Sequence, residues 1–125
     1  MNVRMLMPPF EGKTTIVVAE SPARVRSLED VKLGVRGEIA QMAATSGMTV
    51  VEQGDALVAG RPAYRLHLRG TVQDIPVELL AVNWHLPSGH PLQATLTVPT
   101  RERSLASVRA TFDTFAESFV FAPAP

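Results

Sequence analysis

The segment from Ala63 to Val98 constrains the fold more than any other part of the chain, because it contains three consecutive strand patterns separated by short turns. Apolar and polar residues alternate from Tyr64 to Arg69, which is typical of a half-buried strand. The predicted strands after it are Ile75–Leu86 and Leu92–Val98, with a hairpin loop over Gly70–Asp74. Connections this short join antiparallel neighbours, since a parallel return needs a long crossover. The sequence therefore predicts an antiparallel meander.

A helical pattern precedes the meander. Ser27, followed by Glu29 and Asp30, predicts a helix start, because serine caps free N–H groups and acids favour the positive end of the helix dipole. The apolar residues that then recur at helical spacing are Val31, Val35, Ile39 and Met42. Gly47 predicts the helix end, because glycine adopts a left-handed conformation at little cost.

Three further strands are predicted outside the meander. One is the β-branched run Thr14–Glu20, before the helix. The other two are Met48–Gln53 and Ala56–Ala59, separated by a turn at Gly54-Asp55.

A second helix follows the meander, from about Arg101 to Ser118. Its apolar stripe has spacings of three and four and consists of Leu105, Val108, Phe112, Phe115 and Phe119. The predicted fold class is therefore α+β, an antiparallel β-sheet meander with two amphipathic helices to cover it. We expect one domain over residues 1–121 and a flexible tail over residues 122–125.

Composition excludes several classes of protein. The chain has 125 residues, 12 basic and 12 acidic residues, and no cysteine. A net charge of zero provides no general attraction to nucleic acid or to anionic membranes. The apolar run Ile75–Leu86 is too short and too polar to span a bilayer, and the N-terminus lacks a convincing signal sequence. We expect a cytoplasmic protein with no membrane insertion, with export through a missing N-terminal signal as the alternative.

The sequence contains no catalytic or metal-binding motif that we recognise. Its three histidines, His67, His85 and His90, have no ligand spacing and no carboxylate placed for metal binding. We therefore expect surface histidines, no metal and no cofactor. A G-x-S-x-G motif is absent, and a non-enzymatic protein is predicted.

The tetrapeptide Gly34-Val35-Arg36-Gly37 has the form of the loop that clamps backbone phosphates in KH domains. Here it falls inside the predicted first helix. We therefore expect no nucleic-acid partner, and a KH-like nucleic-acid binder is the minority alternative.

The order of elements resembles the PsbP-like α/β/α sandwich of small bacterial proteins, in particular DcrB/LpqN-type domains and the EagR chaperones of type VI secretion. The residues that carry the resemblance are TTIVVAES before the capped helix, MTVVEQGDALVAGRPAYRLHLRG, and LQATLTVPTRE before a helix ending in FDTFAESFVF. Such domains usually open with a further strand carrying proline and tryptophan, which is missing here. The resemblance implies no enzymatic activity and implies binding through a sheet face.

We therefore predict a non-enzymatic protein-binding module, most concretely a type VI secretion effector chaperone or adaptor, with a homodimer as a further alternative. An LpqN-like domain that binds a small molecule or lipid is the first competing hypothesis. Trp84, with Tyr64 and His85 as neighbours, is the predicted docking surface, because tryptophan and tyrosine often anchor interfaces. The alternative is that Trp84 faces the helices and fills the core.

Overall fold

The computed structural model describes residues 14–100 and 105–121. One five-stranded sheet contains every described strand, in the spatial order β1-β5-β4-β3-β2, and all neighbouring strands are antiparallel. The α+β prediction is confirmed. The elements in chain order are β1 (Thr15–Glu20), α1 (Leu28–Ser46), β2 (Thr49–Val58), β3 (Arg61–Val72), β4 (Ile75–His85), β5 (Pro91–Pro99) and α2 (Leu105–Glu117).

Two tight turns join β2 to β3 and β3 to β4. Ala59 and Gly60 both have positive φ, and so do Gln73 and Asp74. A pair of positive φ angles matches the right-handed twist of the strands that a two-residue turn connects. These turns fix the register of the meander around β3.

The predicted break at Gly54-Asp55 is wrong. The hairpin loop predicted over Gly70–Asp74 is present, but it is only the turn Gln73-Asp74, so its predicted start is wrong. Gly54 pairs with Arg65 inside a continuous β2, and Gly70 pairs with Val77 inside β3. The cross-strand ladder hydrogen-bonds the backbone of both glycines, and this outweighs the local tendency of glycine to form turns.

The two helices lie on opposite faces of the sheet. Residues of β3 and β4 alternate between the faces, so that Leu66 and Leu79 pack with α1, whereas Leu80 and Val82 pack with α2. Because helices cover both faces of the sheet, β4 has apolar side chains on both sides, and its sequence is a nearly continuous hydrophobic run.

The first helix has the ends that the sequence predicts. The backbone N–H of Asp30 donates to the Ser27 hydroxyl oxygen at 3.4 Å, and Gly47 is left-handed with φ of 66°. Val31, Val35 and Ile39 are buried against the sheet. Gly34 and Gly37 both lie within the helix, as predicted.

The second helix packs through Val108, Phe112 and Ala116, with Phe115 partly buried. After the helix ends, Phe119 and Phe121 bring their rings to 5.2 Å and 5.3 Å from the indole of Trp84. These aromatic contacts close the core on the α2 face.

Two predictions lie outside the described residues: the start of the second helix over residues 101–104 and the tail over residues 122–125. Within the described residues, neither helix is both long and apolar enough to cross a membrane.

Candidate functional site

Trp84 is 0% exposed. Its side chain points to the α2 face of β4, and its indole Nε1 donates a hydrogen bond to the carbonyl oxygen of Val58 at 3.1 Å. Trp84 therefore fills the core. This is the alternative to the docking surface that the sequence predicts for this residue.

Tyr64 and His85 do not complete a surface around Trp84. Tyr64 lies buried on the α1 face, where its hydroxyl donates to the Gln53 side chain and the Lys32 ammonium lies 5.7 Å from its ring centre. His85 is half-buried, with its Nε2 2.8 Å from the carbonyl oxygen of Val25. The three predicted binding residues are therefore distributed over both sides of the sheet.

The expectation of surface histidines is wrong. His67 is 3% exposed, and His90 is half-buried with its Nδ1 3.0 Å from the carbonyl oxygen of Ser21. His67 does alternate with apolar residues along β3, but α2 covers the face to which it points. The polar side of a strand faces solvent only when one face of the sheet is uncovered.

A cleft of about 80 Å³ lies between α2 and strands β2 and β3, and His67 is part of its wall. We call it the α2 cleft and define it by the residues that line it from the α2 face of the sheet and from the helix, which are Glu52, Arg65, His67, Leu80, Arg109, Phe112 and Asp113. Glu52 stands directly opposite His67 in the β2–β3 register. The cleft therefore combines charged groups with a buried imidazole.

Two ion pairs join α2 to the sheet across the α2 cleft. The Arg65 guanidinium pairs with the Asp113 carboxylate, and the Arg109 Nη2 donates to the Glu52 Oε2 at 2.9 Å. The hydrogen bond from Arg109, together with its charge, lowers the pKa of the Glu52 carboxyl below its ordinary value. Both guanidinium groups are thus placed to bind carboxylates at the rim of the cleft.

His67 has a carboxylate neighbour within the sheet. The Glu78 Oε2 lies 3.4 Å from the His67 Nε2, and both side chains are buried. Arg69 Nε donates to the two Glu78 oxygens at 2.8 Å and 3.1 Å. Among the described residues, neither His67 ring nitrogen has a partner in hydrogen-bond geometry. A buried imidazole without a hydrogen-bond partner is uncommon in folded proteins.

Sequence reasoning missed most of this cleft. The sequence pattern places Arg65 and His67 on the polar side of a strand, and it gives no functional signal for Arg109 or Asp113. The usable signal was the alternation of Arg65, His67 and Arg69 along β3, which places three nitrogen-bearing side chains on one face. Recognising the cleft also requires knowing that α2 covers this face.

The strand β1 presents a second distinctive surface. Within the described residues, it pairs only with β5, and Ile16 and Val18 on its α2 face are 44% and 45% exposed. We call these two side chains and the free side of β1 the β1 edge surface. An unprotected edge strand can pair with another chain.

The strand β2, at the opposite edge of the sheet, is protected against pairing with another chain. It carries a register shift between Val50 and Glu52 and the acidic residues Glu52 and Asp55. Bulges and charges of this kind discourage edge-to-edge pairing.

We found no grouping of three or more histidine, aspartate or glutamate side chains suited to a metal ion within residues 14–100 and 105–121.

Comparison with known proteins identifies no family. No protein-family model matches the sequence, and no curated protein matches it significantly.

Two solved structures from Pseudomonas aeruginosa are similar in fold. PA94, a protein of unknown function classed as a candidate regulator, has a TM-score of 0.64 and 15% identity, over 94% of this chain and 90% of PA94. The apo form of TplEi, an immunity protein of the type VI secretion system, has a TM-score of 0.58 and 19% identity, over 96% of this chain. This chain spans 43% of the TplEi chain. The two likenesses show a shared fold.

Proposed function

We propose that this chain is a non-enzymatic protein-binding module that binds an effector of a type VI secretion system, as a chaperone or adaptor. The observation that carries the proposal is the likeness of its fold to TplEi, an immunity protein of that system. The earlier resemblance of the sequence to EagR chaperones supports the same setting.

The β1 edge surface supplies a physical means of binding. Its exposed apolar side chains alternate with half-buried ones along the strand. An extended segment of a partner could add to the sheet at this edge, where main-chain hydrogen bonds supply affinity and alternate side chains supply specificity. The strand β1 carries one charged residue, Glu20 at its end, and neither lysine nor proline.

The α2 cleft bears on two competing functions. Pockets for drug-sized ligands are commonly about 300–1,000 Å³. The α2 cleft, at about 80 Å³, is too small for a lipid or a typical metabolite. The structure of the cleft therefore does not favour the LpqN-like alternative.

A histidine beside a carboxylate in a cleft is also what an enzyme would require. Among the residues that the structure describes, however, the lining of the α2 cleft contains no serine, threonine or cysteine that could act as a nucleophile. The Glu78 carboxylate is held by Arg69. We therefore retain the non-enzymatic proposal.

The proposal can be tested by capture from a host with an active type VI secretion system, followed by identification of the bound protein by mass spectrometry. The test variant is the double substitution Ile16→Lys and Val18→Lys, which adds charge to the β1 edge surface. The matched control is Val50→Lys with Leu57→Lys, which adds the same charge to exposed apolar positions on β2.

We expect the unmodified chain and the β2 control to retain a secretion effector and the β1 variant to lose it. Melting temperatures of all three proteins establish that they fold. Recovery of no secretion effector by the unmodified chain would refute the proposed setting. Equal retention by the β1 variant would refute the proposed surface.

A further inference from the structure

The free side of β1 presents main-chain groups that no other strand pairs with in the described part of the chain. Directly after β1, the Ser21 N–H donates to the Pro91 carbonyl oxygen at 2.9 Å, so the backbone groups of Ser21 face β5. The backbone groups of successive residues in a strand point to opposite sides, and the pairing of β1 with β5 is regular along its length. Ile16 and Val18 therefore direct their N–H and C=O groups to the free side, and their side chains are exposed on the α2 face.

The two edges of the sheet differ in whether they can pair with a second copy of the chain. The edge strand β2 carries the register shift between Val50 and Glu52 and the charges of Glu52 and Asp55, which discourage pairing. Contacts between β1 of one copy and β2 of the next would also add copies without closing. Pairing of β1 with β1 relates two copies by a two-fold axis, and the assembly closes at a dimer.

The sequence of β1 is self-complementary in one antiparallel register. When Val17 lies opposite Val17 of the second copy, Ile16 of each copy lies opposite Val18 of the other. Glu20 then lies opposite Thr14, so no like charges face each other. If Val18 were opposite itself, Glu20 would face the apolar Ile16. If Ile16 were opposite itself, Val18 would face Thr14. The register centred on Val17 therefore matches both exposed apolar side chains with apolar ones.

We propose that a second copy of this chain binds the β1 edge surface, with the two β1 strands antiparallel and Val17 opposite Val17. The two five-stranded sheets then form one continuous sheet. Ile16 and Val18 make about four main-chain hydrogen bonds with the second copy, and their side chains cover one another on the α2 face. The formal net charge of zero leaves no overall repulsion between the copies.

This dimer bears on the proposed effector binding, because both use the β1 edge surface. The second copy covers the edge when no effector segment is paired with it, so the dimer and the effector complex exclude each other. The dimer itself does not depend on the effector proposal, since it forms from the purified chain alone.

Analytical ultracentrifugation of the purified chain over a range of concentrations up to about 1 mM tests the association. We expect a weak dimer with a dissociation constant of about 10 μM to 1 mM, because the strands add only a few contacts. Ile16→Lys with Val18→Lys should weaken it about tenfold or more, because lysines on an edge discourage pairing. Val50→Lys with Leu57→Lys adds the same charge on β2 and should leave the dimer unchanged.

Disulfide trapping tests the register, since the chain contains no cysteine of its own. Val17→Cys places two thiols in a non-hydrogen-bonded pair with Cα atoms about 4.5 Å apart, which suits a disulfide. Ile16→Cys and Val18→Cys are the matched controls. Each of these thiols lies diagonal to its own copy, with Cα atoms about 7–8 Å apart, which is too far for a disulfide. Val17→Cys should form the linked dimer about tenfold faster than either control under mild oxidation.

A chain that stays monomeric up to about 1 mM would overturn the proposal, and so would a dimer that the β1 lysines do not weaken. Equal linking of all three cysteine variants, or faster linking of Val18→Cys, would overturn the register. Melting temperatures establish that every variant folds. A monomeric chain that still captures a secretion effector would leave the effector proposal standing, and a dimer that captures none would leave this one standing. The two failures are therefore distinguishable.

Discussion

The indole Nε1 of Trp84 donates to the carbonyl oxygen of Val58 at 3.1 Å, which connects the end of β4 to the end of β2 across the intervening strand β3. Val58 is the last residue of β2, and the next residue, Ala59, donates its backbone N–H to the Glu117 carboxylate near the end of α2 at 3.0 Å. Trp84 thus helps to hold the β2–β3 turn and the end of α2 together.

Replacing Trp84 should destabilise the domain in two separable steps. Trp84→Phe removes the N–H donor and should cost about 1–3 kcal/mol of unfolding free energy, because the Val58 carbonyl loses its partner. Trp84→Ala should cost about 3–5 kcal/mol through lost burial and a cavity. Urea unfolding measures both, with Val120→Ala as an exposed control that should change stability by less than about 0.5 kcal/mol. A loss below about 1 kcal/mol for Trp84→Ala would contradict the core placement.

The strand order within the meander could be predicted because its patterns are local. Short turns require antiparallel neighbours, and the alternation of Leu66 and Leu68 with polar residues predicts that both leucines lie on one buried face, which in the structure packs with α1. The continuity of β2 through Gly54 could not be predicted, because it depends on pairing with Arg65 from another strand. A local turn signal contains no information about such long-range pairing.

Gly37, inside α1, and Gly47, directly after its last residue, should respond to alanine in opposite directions. Gly37 lies inside the helix, is exposed, and a Cβ there would meet no atom within 4 Å. Gly37→Ala should raise the unfolding free energy by about 0.5–1 kcal/mol, since glycine is a poor helix former.

Gly47 provides the matched comparison. A Cβ at Gly47 would also meet no atom within 4 Å, but its φ of 66° is left-handed. Gly47→Ala should lower stability by about 1–2 kcal/mol for backbone reasons alone. Chemical denaturation of both variants checks the pair, and a stabilising Gly47→Ala would contradict the left-handed helix end.

The ion pair between Glu52 and Arg109 should contribute a part of the acid sensitivity of the fold. Because the pKa of Glu52 is lowered in the folded state, the folded chain binds fewer protons there than the unfolded chain does. The contribution is present above the pKa of an unfolded glutamate, about 4.3, and is lost as the pH falls through the lower folded value.

Arg109→Gln should therefore reduce the loss of stability between neutral pH and acid, as measured by urea unfolding at a series of pH values. Arg36→Gln is the control, because it removes the same charge from an exposed position outside the α2 cleft. Identical pH dependence in the unmodified chain and in Arg109→Gln would show that this pair does not shift the Glu52 pKa.

The candidate site could be predicted less well than the fold. His67, Arg65 and Glu52 come together only after β2 pairs with β3, and Arg109 and Asp113 join them only because α2 crosses that face. More than 40 residues separate Arg65 from Arg109 in the sequence, so these residues form no recognisable motif. The residue type of Trp84 favours an interface, but the side chain is buried because helices cover both faces of the sheet.

Asn83 and Gln93 form a buried polar pair that should show energetic coupling. The Gln93 Nε2 donates to the Asn83 Oδ1 at 2.7 Å, and the Asn83 Nδ2 donates to the Tyr64 carbonyl oxygen at 3.2 Å. Either substitution, Asn83→Ala or Gln93→Ala, leaves a buried amide without its partner and should cost about 1–3 kcal/mol beyond the loss of packing. The double variant removes both amides and should cost less than the sum of the two single variants. The expected coupling energy is about 0.5–3 kcal/mol in a double-mutant cycle measured by urea unfolding.

Asn83→Ala combined with Gly37→Ala is the control cycle. Gly37 lies on the exposed side of α1, so the effects of these two substitutions should be additive. Additivity in the Asn83–Gln93 cycle as well would show that the two amides do not stabilise each other.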